Sequence, residues 1–191
     1  MKPVYKKSEE VFSDVIAKNR DLFHKKNADY GTSWTILRYS KSFTDQIFIK
    51  AARIRSIQES GKNLVGDSLN SEFIGIFNYC IMALMKHAYP EKFVIGNTIS
   101  NDELINFFDE QVQKIYELRQ KKNHDYGEAW RDMRISSITD LILMKLLRIK
   151  QIETNAGATL VSEPIESGFQ DIVNYALFAL VLHEEKVSIM D

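Results

Sequence analysis

The chain has 191 residues, 45% of them hydrophobic and 27% charged, a composition that excludes a disordered chain and can bury the core of one or two compact units. A net charge of −1 gives no basic field, which excludes whole-surface attraction to nucleic acid or an anionic membrane and leaves a small anion in a local pocket as the ligand to expect. The single cysteine, Cys80, excludes an internal disulfide and a Cys-rich zinc site and fits a reducing cytosol, so a cytoplasmic location is expected.

Met1-Lys2-Pro3 leads into polar residues, so no secretory signal is expected. Val11, Phe12, Val15, Ile16, Leu22 and Phe23 then recur at helical spacing behind Ser8-Glu9-Glu10, which supplies an N-cap and an acidic first turn. The spacing predicts a helix over Ser8 to Asn27, closed by Gly31 in the left-handed conformation. A second helix carries Ile47, Ala51 and Ile54, and a third carries Phe73, Phe77, Cys80 and Leu84. Tyr89-Pro90 through Asn97 reads as a connector. Ser100-x-x-Glu103 is a capping box that opens a fourth helix with Leu104, Phe108, Val112 and Ile115 on its stripe, closed by Gly127. A fifth helix carries Ile142, Leu146 and Ile149. Pro164, with Glu163 before it, sits where a first-turn proline starts the last helix. That helix holds the longest apolar stretch, Ile172 to Leu182, which falls short of the ~20 residues of a membrane span. Strand signals are almost absent.

The chain carries one unit twice. Asn27-Ala28-Asp29-Tyr30-Gly31 with Trp34 returns 96 residues later as Asn123-His124-Asp125-Tyr126-Gly127 with Trp130. Lys25, Lys26 and Arg38 match Lys121, Lys122 and Arg134. After one residue lost between the copies, Asp45, Lys50, Arg53 and Ile54 match Asp140, Lys145, Arg148 and Ile149. Asn78-Tyr79 matches Asn174-Tyr175. The predicted fold is all-α: a six-helix bundle of two tandem three-helix repeats related by a pseudo-twofold, with residues 1–88 as the first repeat, 89–99 as connector and 100–191 as the second, sharing one core.

The matched polar residues need a reason beyond the fold. Lys50 and Arg53, like Lys145 and Arg148, lie three apart, which puts both cationic heads on one helical face. With Arg38 and Arg134 they are candidates to clamp phosphate, although stems that cover the core while the heads reach water would explain them too. Tyr30, Trp34, Tyr126 and Trp130 are candidate stacking platforms for a base, or core aromatics. Asp29 and Asp125, read as lying just past a helix C-terminus, meet the unfavourable end of the dipole, which points to a bound cation or basic partner. Magnesium takes oxygen ligands from one or two acids plus phosphate. Glu166 and Asp171 join Asp125 and Asp29 as its candidate ligands, with Asn174 sharing a face with Asp171 and Asn78 as its counterpart. In the first copy Asn70 and Gly75 stand where the second has Glu166 and Asp171, so the second copy is expected to dominate. The four histidines show no metal-ligand spacing, and no Gly-rich phosphate loop or nucleophile elbow is present.

Lys-Asn-x-Asp-Tyr-Gly-x-x-Trp, then Lys-x-x-Arg-Ile, then Asp-Ile-x-Asn-Tyr-Ala resembles the first nucleotide modification associated domain family, all-α domains of phages and bacteria. The resemblance covers about Leu22 to Lys86 and again Leu118 to Glu184. The first copy departs from the last motif, with Gly75 in the place of its acid. The family implies a link to nucleotide or modified-base metabolism. The helical plan is also similar to that of MazG-type and dimeric dUTPase-type pyrophosphatases, whose metal sites pair Glu-x-x-Glu with Glu-x-x-Asp. Here Glu163 to Glu166 is the only Glu-x-x-Glu, and no Glu-x-x-Asp follows it.

The expected function is binding of a small nucleotide, with magnesium-dependent phosphoanhydride hydrolysis as its enzymatic form. The alternative is a non-catalytic regulatory or interaction module whose matched charges are structural salt bridges. No direct nucleic-acid or membrane contact is expected, and a homodimer is left open.

Overall fold

The computed structural model describes residues 8–155 and 163–190. Six α-helices follow one another: α1 Ser8–Tyr30, α2 Lys41–Ser60, α3 Leu69–Ala88, α4 Asn101–Tyr126, α5 Ile135–Thr154 and α6 Ile165–Met190. A 3-10 turn precedes the middle helix of each copy, Ser33–Ile36 before α2 and Ala129–Asp132 before α5. Among the described residues there is no strand, and the protein is all-α. No helix among them is long and apolar enough to cross a membrane.

The helix ends follow the local chemistry of the sequence. Ser100 accepts a hydrogen bond from the Glu103 amide at 3.2 Å, and Ser68 does the same for Ser71 at 3.2 Å, each satisfying a donor that the first turn leaves orphaned. Gly31 and Gly127 close α1 and α4 with φ of 61° at both, a conformation that costs a side-chain-bearing residue more than glycine. Their amides bond back to the Asn27 and Asn123 carbonyls at 2.8 and 2.9 Å. One expectation shifts here. α1 runs on to Tyr30, so Asp29 lies within its last turn instead of beyond it, and α6 starts at Ile165, one residue after Pro164.

Each helix meets its counterpart in the other copy: α1 packs on α4, α2 on α5 and α3 on α6. A single buried cluster draws on both copies, with Phe73, Phe77 and Ile81 from α3, Phe169, Ile172 and Val173 from α6, and Phe23 against Phe108 at 4.9 Å between ring centres. Cys80 is fully buried within it, and burial raises its thiol pKa well above the usual value.

The polar contacts between α2 and α5 come in reciprocal pairs. Lys150 reaches Asp45 at 2.7 Å, and its counterpart Arg55 pairs with Asp140. Thr44 donates to Glu153 at 3.0 Å, while Gln58 donates to Thr139 at 3.1 Å. Thr44 corresponds to Thr139 and Gln58 to Glu153 in the repeat. Residue i touching j while the counterpart of j touches the counterpart of i is the contact pattern of an isologous interface. Asp45 and Asp140, matched acids with no evident partner in the sequence, are explained by it.

Candidate functional site

In the second copy α4, α5 and α6 bring three charged groups together. Asp171, seven residues into α6, is buried, and its two oxygens take the ammonium groups of Lys122 at 2.6 Å and Lys145 at 2.5 Å. Burial pushes the Asp171 carboxyl up, and the hydrogen bonds and charges of Lys122 and Lys145 outweigh it, so its pKa is held below the ordinary value. The neighbouring Tyr175 phenol is pushed up by burial and by the Asp171 charge. Asn174, on the same face one turn on, is 5% exposed and donates to the Gln170 carbonyl at 3.3 Å, while its Oδ1 is buried with no partner.

The first copy holds the same cations differently. Its acid is Glu72, in the first turn of α3, where the helix dipole favours a carboxylate. Glu72 pairs with Arg53 and, at 3.2 Å, with Lys50. Arg53 also donates to Asn63 at 3.2 Å, and Asn63 in turn bonds the Asp67 carbonyl and the Gly66 amide, so Arg53 fixes the connection before α3. Glu72 corresponds to Gly168, and Gly75 corresponds to Asp171. Acid and glycine have exchanged places across one helical turn. Each copy therefore sets two cations on one acid, a lysine and an arginine in the first and two lysines in the second.

This exchange leaves space between Lys26 and Lys50. A cavity of about 250 Å³ lies between α1, α2 and α3, lined by Lys26, Lys50, Ser71, Gly75, Asn78 and Tyr79 together with the apolar Leu22, Phe23, Ile74 and Met82. The floor is close. A β-carbon at Gly75 would sit 2.6 Å from Lys50 Cε, so only glycine lets the lysine stem lie across the helix there. Asn78 is 8% exposed and its buried Oδ1 has no hydrogen-bond partner. Lys26 has no ion-pair partner among the described residues. No Asp or Glu lines the cavity.

The remaining candidates fall elsewhere. Trp130 is 6% exposed and stacked on Phe178 with ring centres 4.7 Å apart, and Trp34 packs on Phe93 at 5.1 Å while donating to Asn27 at 3.0 Å. Of the two readings the sequence leaves open for the tryptophans, the packing of buried Trp130 and half-buried Trp34 against core aromatics favours the core one. Tyr30 is 71% exposed at the end of α1. Arg38 and Arg134 are exposed and line neither the first-copy cavity nor the shallow cleft beside α5. That cleft, about 20 Å³, holds Arg148, which is exposed, beside Lys145 and Glu163. Arg53 is engaged by Glu72 and Asn63 and is not part of the cavity lining. The side chains of Asp125 and Tyr126 lie outside the described residues. The expected magnesium set does not form among those described: Asp171 is held by two ammonium groups, Glu166 faces His87 at 3.6 Å and Asp29 is exposed, with no group of three His, Cys, Asp or Glu side chains placed for a metal.

The residues missed are Lys26, Lys122 and Glu72. The lysines read as helix-end charges, and Glu72 was hidden because its column in the repeat holds glycine in the other copy. The signal was there, since an acid moved by three positions stays on the same helical face.

Two helical copies that share a core and repeat the same lysine, asparagine and tyrosine positions define a tandem all-α domain protein. The chain belongs to the family described as nucleotide modification associated domain 1, whose model matches residues 26–87 and again residues 122–182. No curated protein sequence and no solved structure gives a significant match to the chain.

Proposed function

We propose that this protein binds a nucleoside phosphate in the cavity of its first copy. The observation that carries the reading is a cavity of about 250 Å³ whose lining includes two lysines, Lys26 and Lys50, and the buried Asn78, whose Oδ1 has no hydrogen-bond partner. Ammonium groups suit phosphate oxygens, and a carboxamide supplies both a donor and an acceptor for a base edge or sugar hydroxyl. Ile74, Met82 and Leu22 offer the apolar wall that a flat base needs. The volume lies just under the ~300–1,000 Å³ of drug-sized ligand pockets, which suits one nucleotide and excludes a strand.

Binding, instead of hydrolysis, is what these groups support. Metal-assisted hydrolysis uses carboxylates to hold the ion, and the carboxylate beside the cavity, Glu72, is engaged by Lys50 and Arg53 while no Asp or Glu belongs to the lining itself. The ion-pair reading fits the second copy, where Asp171 is satisfied by two lysines. Nucleotide chemistry also agrees with the description of the family.

The test is a thermal-shift and calorimetric comparison of the common nucleoside 5′-monophosphates with their parent nucleosides, without added metal. A ligand selective for the folded state raises the apparent stability. The phosphorylated member should bind and the nucleoside should bind at least tenfold more weakly. Lys50→Met should cost 10-fold or more in affinity, the scale of a lost charge-assisted hydrogen bond. No binding of any phosphorylated ligand, or binding indifferent to Lys50, overturns the reading.

A further inference from the structure

In the second copy an acid, Asp171, closes on the two lysines, and its counterpart in the first copy is Gly75. Six of the ten residues lining the first-copy cavity are identical at the matched second-copy positions, Leu22, Lys26, Lys50, Ser71, Asn78 and Tyr79 corresponding to Leu118, Lys122, Lys145, Ser167, Asn174 and Tyr175. In the second copy the Asp171 carboxylate lies 2.6 and 2.5 Å from the two ammonium nitrogens, whereas in the first Lys50 lies against Gly75 and takes Glu72 at 3.2 Å, and Lys26 has no carboxylate partner among the described residues. A carboxylate with both oxygens on lysine reproduces the charge and donor demand of a phosphate edge.

We propose that Asp171 is the built-in occupant of a second, latent site of the same class. The chain then binds one anionic ligand, in the first copy, with its phosphate between Lys26 and Lys50, and removing the Asp171 carboxylate opens a second site at Lys122, Lys145 and Asn174. This rests on the proposed nucleotide-binding reading and goes beyond it by assigning the stoichiometry, the position of the anion and a site that the wild-type chain keeps filled. Asn174 gives the second observation, because its Oδ1 is buried without a partner as that of Asn78 is.

The experiment is calorimetric titration of the nucleoside 5′-monophosphates into wild type, Asp171→Gly, Gly75→Asp and the exchange double variant, each shown to be folded by circular dichroism. Wild type should bind one equivalent, Asp171→Gly two, and Gly75→Asp at least tenfold more weakly than wild type. The double variant should again bind one. An Asp171→Gly protein that folds and still binds one equivalent overturns the proposal. If that variant does not fold, Gly75→Asp decides alone: unchanged affinity overturns the proposal, because a carboxylate between the lysines would then not exclude the ligand. Failure of wild type to bind at all is a failure of the binding reading itself.

Discussion

Lys50 rests its stem on Gly75, so closely that a β-carbon there would lie 2.6 Å from Cε and 3.0 Å from Nζ. The contact involves the far end of a flexible chain, and a methyl group at Gly75 would push the lysine aside without moving backbone. Gly75→Ala should therefore keep the fold, since alanine is the better helix former by about 0.5–1 kcal/mol and offsets the displaced contact. Affinity for the nucleoside 5′-monophosphates should nevertheless fall, because Lys50 no longer lies along the cavity floor. Denaturant unfolding and titration of the same sample separate the two effects.

Asp171 gives the protein an acid-sensitive contribution. Its pKa is depressed in the fold by Lys122 and Lys145 acting against burial, so it contributes stability that is present above the unfolded aspartate value of ~3.9 and is lost as pH falls through the lower folded value. Asp171→Asn should be less stable at neutral pH by about 1–3 kcal/mol, and its stability should fall less than that of wild type as the pH drops from 5 towards 2. Urea unfolding at several pH values measures this; parallel curves would show that the two lysines contribute nothing.

The indoles belong to the core. Trp130→Ala should cost about 3–5 kcal/mol, the scale of truncating a buried aromatic, since Phe12 and Phe178 lose their shared neighbour. Trp130→Phe should preserve both the fold and the nucleotide affinity within about twofold, as the ring lies outside the proposed site. A large loss of affinity in a folded Trp130→Phe protein would return tryptophan to the binding reading.

The reciprocal ion pairs between α2 and α5 are largely exposed, with 57% and 64% of the Asp140 and Asp45 side chains accessible. Exposed pairs contribute little, so Asp45→Ala and Asp140→Ala should each cost less than about 1 kcal/mol, and less still at high salt. Thermal unfolding at low and high ionic strength checks both.

Much of the architecture was legible because helices write themselves as local patterns. The capping box at Ser100, the closing glycines Gly31 and Gly127, and the apolar stripes of Phe73 and Phe169 all follow from spacing within a turn or two. Asp45 and Asp140 stood out as a matched pair, but their partners came from the other copy and depended on packing. The site was half legible. Lys50, Lys145, Asn78, Asn174 and Asp171 were readable as matched polar residues, whereas the exchange of acid and glycine between Glu72–Gly75 and Gly168–Asp171 compares different columns of the repeat. Gly75 reads in the sequence only as a missing acid, which points to the second copy, whereas the cavity lined by Lys26, Lys50 and Gly75 lies in the first, and the proposed binding site is placed there.

The most direct test of the account is a crystal structure of the wild-type protein soaked with the nucleoside 5′-monophosphate that gives the largest stabilisation. One ligand per chain is expected, its phosphate oxygens within about 2.7–2.9 Å of Lys26 Nζ and Lys50 Nζ and its base against Ile74 and Met82, with Asp171 still bridging Lys122 and Lys145. A ligand seated between Lys122 and Lys145, or a first-copy cavity that stays empty while the nucleotide binds elsewhere, would contradict it.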